Sequence, residues 1–218
     1  MKNRFSVGFI LLILFTTFIS QKKISINQFK VKEIIFENNQ IINDKELSEG
    51  LSFLYQKNMI FLHSSEIKKK IEKNSFVKRL EIKKIYPSKL LIRVTEKEPL
   101  AILVNDQEKF FIGKNLDLIK FRKISRYKNF PTIYGDYESF KILFNNLKKV
   151  KFPISSIKRY NFFKSNRWDL ILSDQRVIKL PSQNYNQNLK NFIKISTNKN
   201  FDKYKLFDYR LSNQLILN

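Results

Sequence analysis

The chain contains no cysteine. That removes a disulfide framework, a thiolate nucleophile and any cysteine-ligated zinc or iron–sulfur centre. It is compatible with an oxidising compartment without establishing one. Histidine is almost as scarce, with His63 alone. No second His or Cys can join it as a metal ligand or base, so its expected role is that of a loop or cap residue. The four glycines, Gly8, Gly50, Gly113 and Gly135, are too scattered to build a phosphate-cradling loop, and no G-x-S-x-G elbow occurs. Acidic residues are few, 19 against 42 lysines and arginines. Glu96 and Glu98 close an alternating strand and share a solvated side, which is not the setting of a catalytic carboxylate pair. No enzyme, metal or cofactor is expected.

What is abundant is positive charge, a formal +23 over 218 residues, with 43% hydrophobic residues. Such a balance fits nucleic acid, anionic lipid or acidic partners. The charge is spread over nearly every segment and comes with enrichment in Lys, Asn, Ile and Phe, so the favoured explanation is compositional bias. The length suits two small domains or one medium one.

Residues 1–4 form a short basic tail. Phe5 to Ser20 then carries no charge. As a helix that stretch spans only about 24 Å against about 30 Å of hydrocarbon. Extension through Gln21 with snorkelling Lys22 and Lys23 makes up the difference, so a membrane anchor is expected over residues 5–23. A cleaved signal peptide is the rival, but no small-residue cleavage site follows. Lysines and arginines flank both ends, so charge does not settle orientation. Residues 24–29 read as a linker.

The stretch Asn58 to Leu103 organises the rest. Ile67 and Ile71 lie one turn apart behind Ser64-Ser65, with lysines on the other face, which predicts a short helix. Alternation from Val77, the break Tyr86-Pro87-Ser88-Lys89 and a second alternating run, Leu90, Ile92, Val94 against Leu91, Arg93, Thr95, predict a hairpin. Upstream, Val31–Phe36 is a strand candidate. Asn43-Asp44-Lys45-Glu46 resembles a capping box ahead of Leu47, Leu51 and Leu54. The predicted order is strand, helix, helix, strand, strand.

Beyond Pro99, short apolar runs alternate with turns. Hairpins are predicted around Gly113-Lys114-Asn115 and across Ser173-Asp174-Gln175. A strand end is expected at Phe130–Gly135, helices at 137–150 and 186–196, and a terminal strand region over 205–217. Trp168 opens an alternating apolar strand and is expected in the core. The fold class expected is α+β: an N-terminal transmembrane helix, a β-α-α-β-β domain, and an antiparallel β-sheet domain with helices on one face.

The run N-M-I-F-L, then F-V-K-R-L-E-I-K-K-I-Y-P-S-K-L-L-I-R-V-T-E-K-E-P-L-A-I-L, resembles the POTRA domain of the FtsQ/DivIB cell-division family. Pro87, Leu90, Ile92, Val94, Glu96, Pro99 and Ala101 fall in its pattern. Gln56 stands where glycine is usual and Ser75-Phe76 where Pro-Trp is usual. R-W-D-L-I-L-S-D-Q-R-V-I-K-L-P resembles a later family segment through Arg167, Trp168, Asp169, Leu170, Leu172 and Pro181. The closing L-F-D-Y-R-L matches through Asp208 and Arg210, with Tyr209 replacing leucine. The resemblance implies a POTRA domain over 30–98 and a β domain over 99–218. It implies a bitopic division scaffold in the inner membrane, amino terminus cytoplasmic and bulk periplasmic, concentrated at the division site. It also implies the partners FtsB and FtsL at the carboxyl-terminal sheet edge, and FtsK or other recruiting factors at the POTRA domain.

A last strand at a sheet edge offers unpaired N–H and C=O groups to another chain. The expected partner-binding residues are Asp208, Tyr209, Arg210, Leu211, Asn213, Gln214 and Leu215. By resemblance, Arg210 would pair with a partner carboxylate. The structural alternative is that Asp208 and Arg210 only tie the last strand to its own domain. Two other functions stay open. One is a nucleic-acid-binding protein stacking bases on its 21 Phe and 9 Tyr. The other is a POTRA-type outer-membrane assembly factor, which needs repeated POTRA units or a following barrel. Lys68-Lys69-Lys70 reads as a solvated helix face able to meet anionic headgroups.

Overall fold

The computed structural model describes residues 2–17, 26–106, 108–211 and 214–218. The chain divides into two compact units, one reaching to Ile71 and including Arg79–Val94, the other made of Glu72–Lys78 with Thr95–Asn218.

Helix α1, Lys2–Thr17, is 16 residues long, about 24 Å at 1.5 Å per residue. Among the described residues no helix is long and apolar enough to cross a membrane. Residues 18–23 of the expected anchor lie outside the described residues. The exposed side chains of α1 include Phe9, Leu12 and Phe15.

The first sheet has the order β1-β3-β2, built from β1 (Glu33–Glu37), β2 (Val77–Ile85) and β3 (Lys89–Glu96). β1 runs parallel to β3, with Glu33 opposite Lys89 and Glu37 opposite Arg93. Both pairs close as ion pairs at 2.7 Å, weak in energy at the surface but matched only in this register. The expected alternation in β3 fails at Leu91, which is buried together with Leu90 and Ile92. A middle strand buries residues on both of its faces. Helix α2 (Asp44–Glu49) starts as expected, the Asn43 side chain accepting the Glu46 N–H at 2.7 Å. It ends at Gly50, and a 3-10 turn over Ser52–Gln56 carries on, so Leu47, Leu51 and Leu54 are all buried without lying on one continuous helix. Helix α3 (Ser64–Ile71) buries Ile67 and Ile71 and turns Lys68, Lys69 and Lys70 outward. His63 is exposed just ahead of it.

The second unit is one nine-stranded sheet and two long helices. Its elements are β4 (Pro99–Asn105), β5 (Glu108–Gly113), β6 (Leu118–Lys120), β7 (Thr132–Tyr134), α4 (Tyr137–Lys149), β8 (Ile157–Phe163), β9 (Arg167–Leu172), β10 (Val177–Lys179), α5 (Asn186–Ser196), β11 (Leu206–Asp208) and β12 (Ile216–Leu217). Across the sheet the order is β12-β11-β10-β9-β8-β7-β4-β5-β6. The sheet is mixed, a correction to the antiparallel expectation: β4/β7, β7/β8 and β10/β11 are parallel. For the last two pairs the reason is topological. α4 separates β7 from β8 and α5 separates β10 from β11, and a helical crossover brings the chain back to start its next strand at the same end.

Both helices bury their apolar stripes, Phe140, Leu143, Phe144 and Leu147 from α4 and Leu189 and Phe192 from α5, in one core with Ile133, Tyr160, Trp168, Leu170, Leu172, Ile178 and Phe207. Trp168 is buried, as expected. Phe140 meets Tyr160 edge-on at 5.3 Å and Phe192 meets Phe207 at 5.0 Å. Each such ring contributes roughly 1.5–3 kcal/mol by leaving water. The strand positions between these point to the other face. There Phe111 gathers a smaller aromatic group, with Phe76, Phe121 and Tyr127 within 6.0 Å. Gly135, just after β7, has φ +147° and lies against Phe162, which occupies the space a Cβ would need.

Candidate docking border at the carboxyl-terminal strands

The terminal region 205–217 forms two strands rather than one. β11 is an interior strand, parallel to β10 on one side and antiparallel to β12 on the other. β12 alone is the border of the sheet at this end. The expected site residues therefore separate into two groups.

Asp208 and Tyr209 are buried. Arg210 donates from Nε to both carboxylate oxygens of Asp208 at 2.9 Å and from Nη2 at 2.6 Å, and its backbone N–H reaches the same carboxylate at 3.0 Å. This guanidinium holds the Asp208 carboxyl below the usual range, against the opposing effect of burial. Its own pKa is raised by the same bond. Arg210 is thus engaged by a carboxylate of its own chain, with its side chain 39% exposed. Tyr209 ties the strand down. Its N–H donates to Lys179 O at 2.9 Å, its hydroxyl to Asn191 Oδ1 at 2.9 Å, and its carbonyl accepts from Asn188 Nδ2 at 3.4 Å. Burial pushes its phenol pKa up.

Leu211, Gln214 and Leu215 belong to the segment leading into β12. Leu211 and Gln214 are exposed, whereas Leu215 is half-buried against the core. Asn213 lies outside the described residues.

Strand register adds residues that were not singled out for this site. Lys179 stands opposite Asp208, and Asp169 stands opposite Lys179. Asp169, Lys179 and Asp208 therefore alternate in sign across three strands on the face that carries no core helix. Burial raises the Asp169 pKa, while Lys179, Arg210 and Arg167 oppose the shift. The signal for Asp169 was present in R-W-D-L, because strand alternation turns Asp169 away from the buried Trp168. Nothing local in the sequence marked Asn188 or Asn191 as partners of Tyr209.

The outer side of β12 follows from its inner bonding. Leu206 and Asn218 exchange both backbone bonds, at 2.8 and 3.3 Å. Antiparallel ladders alternate bonded and non-bonded pairs. Phe207–Leu217 is therefore a non-bonded pair, and the Leu217 N–H and C=O point out of the sheet. Ile216, its neighbour in the strand, is exposed.

Comparison with known proteins fits this architecture. The family model described as "POTRA domain, FtsQ-type" matches residues 29–97, and that described as "Cell division protein FtsQ/DivIB, C-terminal" matches residues 101–210, half of the chain. The chain belongs to the FtsQ/DivIB family of cell division proteins. The FtsQ of Rickettsia bellii is 26% identical over 190 residues, covering 85% of this chain and 71% of that protein. The FtsQ of Agrobacterium fabrum is 23% identical over 179 residues, covering 80% and 56%. Among solved structures, the major extracytoplasmic domain of the trans isomer of DivIB from Geobacillus stearothermophilus aligns with 50% of this chain and 98% of that one. The identity is 13% and the TM-score 0.33, too low to bear on the fold. The carboxyl-terminal family match stops at Arg210, so β12 lies beyond it.

Proposed function

We propose that the chain is a non-enzymatic, single-pass scaffold of the division machinery, with β12 receiving a strand from the FtsB–FtsL pair. The reading takes residues 5–23 as the inner-membrane anchor, with the amino terminus cytoplasmic and the bulk periplasmic. Residues 30–98 act as the POTRA domain that meets FtsK or other recruiting factors, and residues 99–218 as the partner-gripping domain. The observation that supports it is the open border at β12, where the Leu217 N–H and C=O face outward next to the exposed Ile216. Each main-chain bond nets only about 0.5–1.5 kcal/mol. Affinity therefore has to come from apolar side chains beside the strand, with the exposed Ile216 among them. Arg210, already clasping Asp208, orients this border rather than waiting for a partner carboxylate.

The test is amide hydrogen exchange on the full chain in detergent micelles, with and without the extracytoplasmic segment of FtsB. The Leu217 amide exchanges freely alone and becomes protected on binding. Ile216→Glu, an exposed change, weakens binding in calorimetry by about tenfold or more. A Leu217 amide that exchanges equally fast at saturating partner rejects the border. External protease added to spheroplasts degrades the bulk of the chain if it is periplasmic, and its survival there rejects the topology.

A further inference from the structure

We infer that the second unit carries a separate docking groove beside β5 and β6, which takes an acidic peptide segment through one large apolar anchor residue. The groove is near the opposite end of the sheet from β12, roughly 30 Å away at the ordinary spacing of strands. It does not depend on the proposed role of that border.

The groove has a volume of about 440 Å³, with Ile102, Phe111, Phe121, Ile124 and Tyr127 as its apolar lining and Lys123 and Lys128 at its rim. That size is in the range of pockets that bury a compact ligand. Register explains the floor. Ile102 of β4 is paired with Phe111 of β5, so both project from the face that the core helices leave bare. The segment after β6 then folds over this face, placing Phe121 at 4.9 Å and Tyr127 at 5.6 Å from the Phe111 ring.

Charge identifies the occupant. From Leu118 to Lys128 the sequence carries Lys120, Arg122, Lys123, Arg126 and Lys128 and not one acid. Among the described residues, none that lines the groove is acidic. The Lys109 ammonium approaches the Phe121 ring to 5.9 Å, and the Arg126 guanidinium lies 4.9 Å from the Tyr127 ring. An apolar floor inside a cationic rim complements a peptide with an aromatic or aliphatic anchor flanked by aspartates and glutamates.

Concavity separates this from the other anions a basic surface attracts. Phe111 and Tyr127 are 1% and 8% exposed, so they are recessed and have nothing to insert into a bilayer. Nucleic-acid bases stack on open ring faces, and these rings are covered. A side chain that enters the groove meets both requirements.

The experiment uses the full chain in detergent micelles at physiological salt, with fluorescence anisotropy of a labelled short poly-glutamate peptide bearing one central phenylalanine. The expected result is saturable binding, weakened about tenfold or more when the peptide's phenylalanine becomes serine. The paired substitution Lys123→Glu with Lys128→Glu gives the same loss, and both lysines are exposed, which leaves the core untouched. A photoreactive benzoylphenylalanine at the anchor position crosslinks to residues 121–128. Equal binding of the phenylalanine and serine peptides overturns the proposal, as does unchanged binding by the charge-reversed variant or crosslinks that fall elsewhere. Phosphatidylglycerol vesicles or single-stranded DNA losing affinity on the same variant, with the peptide failing to bind, also overturns it.

Discussion

Asp208→Ala removes the centre of the carboxyl-terminal clasp. The Asp208 side chain is 7% exposed and accepts the Arg210 backbone N–H and three contacts from its guanidinium at 2.6–2.9 Å. A hydrogen bond to a charged group nets about 1.5–3 kcal/mol, and bonds sharing one carboxylate do not add. Because Arg210 regains water when released, the expected loss is about 2–3 kcal/mol. Asp208→Asn keeps an acceptor for the backbone N–H and loses less, about 1 kcal/mol. Arg210→Ala instead leaves a carboxylate buried without its cation, so adding Asp208→Asn to that variant restores stability rather than lowering it further. The assay is urea unfolding followed by the fluorescence of Trp168, the single tryptophan, buried in the same unit. The pH dependence has a definite sign. The folded pKa of Asp208 is lowered, chiefly by its bond to Arg210. The clasp's contribution is therefore present above the unfolded carboxylate value of about 3.9 and is lost as pH falls through the lower folded value. The gap between the native protein and Asp208→Ala closes on acidification. A gap under about 0.5 kcal/mol at pH 7, or one that widens on acidification, refutes the reasoning.

Two further outcomes follow from the second unit. Gly135→Ala puts a Cβ into Phe162 at a backbone angle that L-residues rarely adopt; the expected cost is about 3 kcal/mol or more, read as a lower urea midpoint at unchanged slope. Asp136→Ala removes the side-chain acceptor for the Ser139 N–H at the start of α4, at a cost of about 1 kcal/mol. That backbone bond lowers the Asp136 pKa, so the difference measured at pH 7 shrinks as pH falls through the lowered value, and a difference that grows on acidification contradicts the cap.

Elements whose signal is local were legible in the chain. The α5 prediction at 186–196 matches the structure, and the helix expected at 137–150 is α4, Tyr137–Lys149. β4 and β8 were not. β4 reads P-L-A-I-L-V-N, an apolar run without alternation, and β8 carries a register shift between Ile157 and Arg159 that breaks the period of two. β11 and β12 were merged because strands of three and two residues have no measurable period. The expected site shows the same division. Leu211 and Gln214 are exposed in the segment leading to β12, but Tyr209 is buried and Arg210 is held by Asp208.

The sequence by itself determined what depends on near neighbours: apolar stripes, the cap at Asn43, the hairpin turns, the buried Trp168 and the motifs that carry the family. Tertiary structure decided what depends on which strand lies beside which. Parallel pairing across α4 and α5, the sign-alternating row Asp169–Lys179–Asp208, and the return of β12 over β11 join residues far apart in the chain. Strand neighbours are chosen by crossover geometry and core packing, and neither leaves a mark at any one position in the sequence.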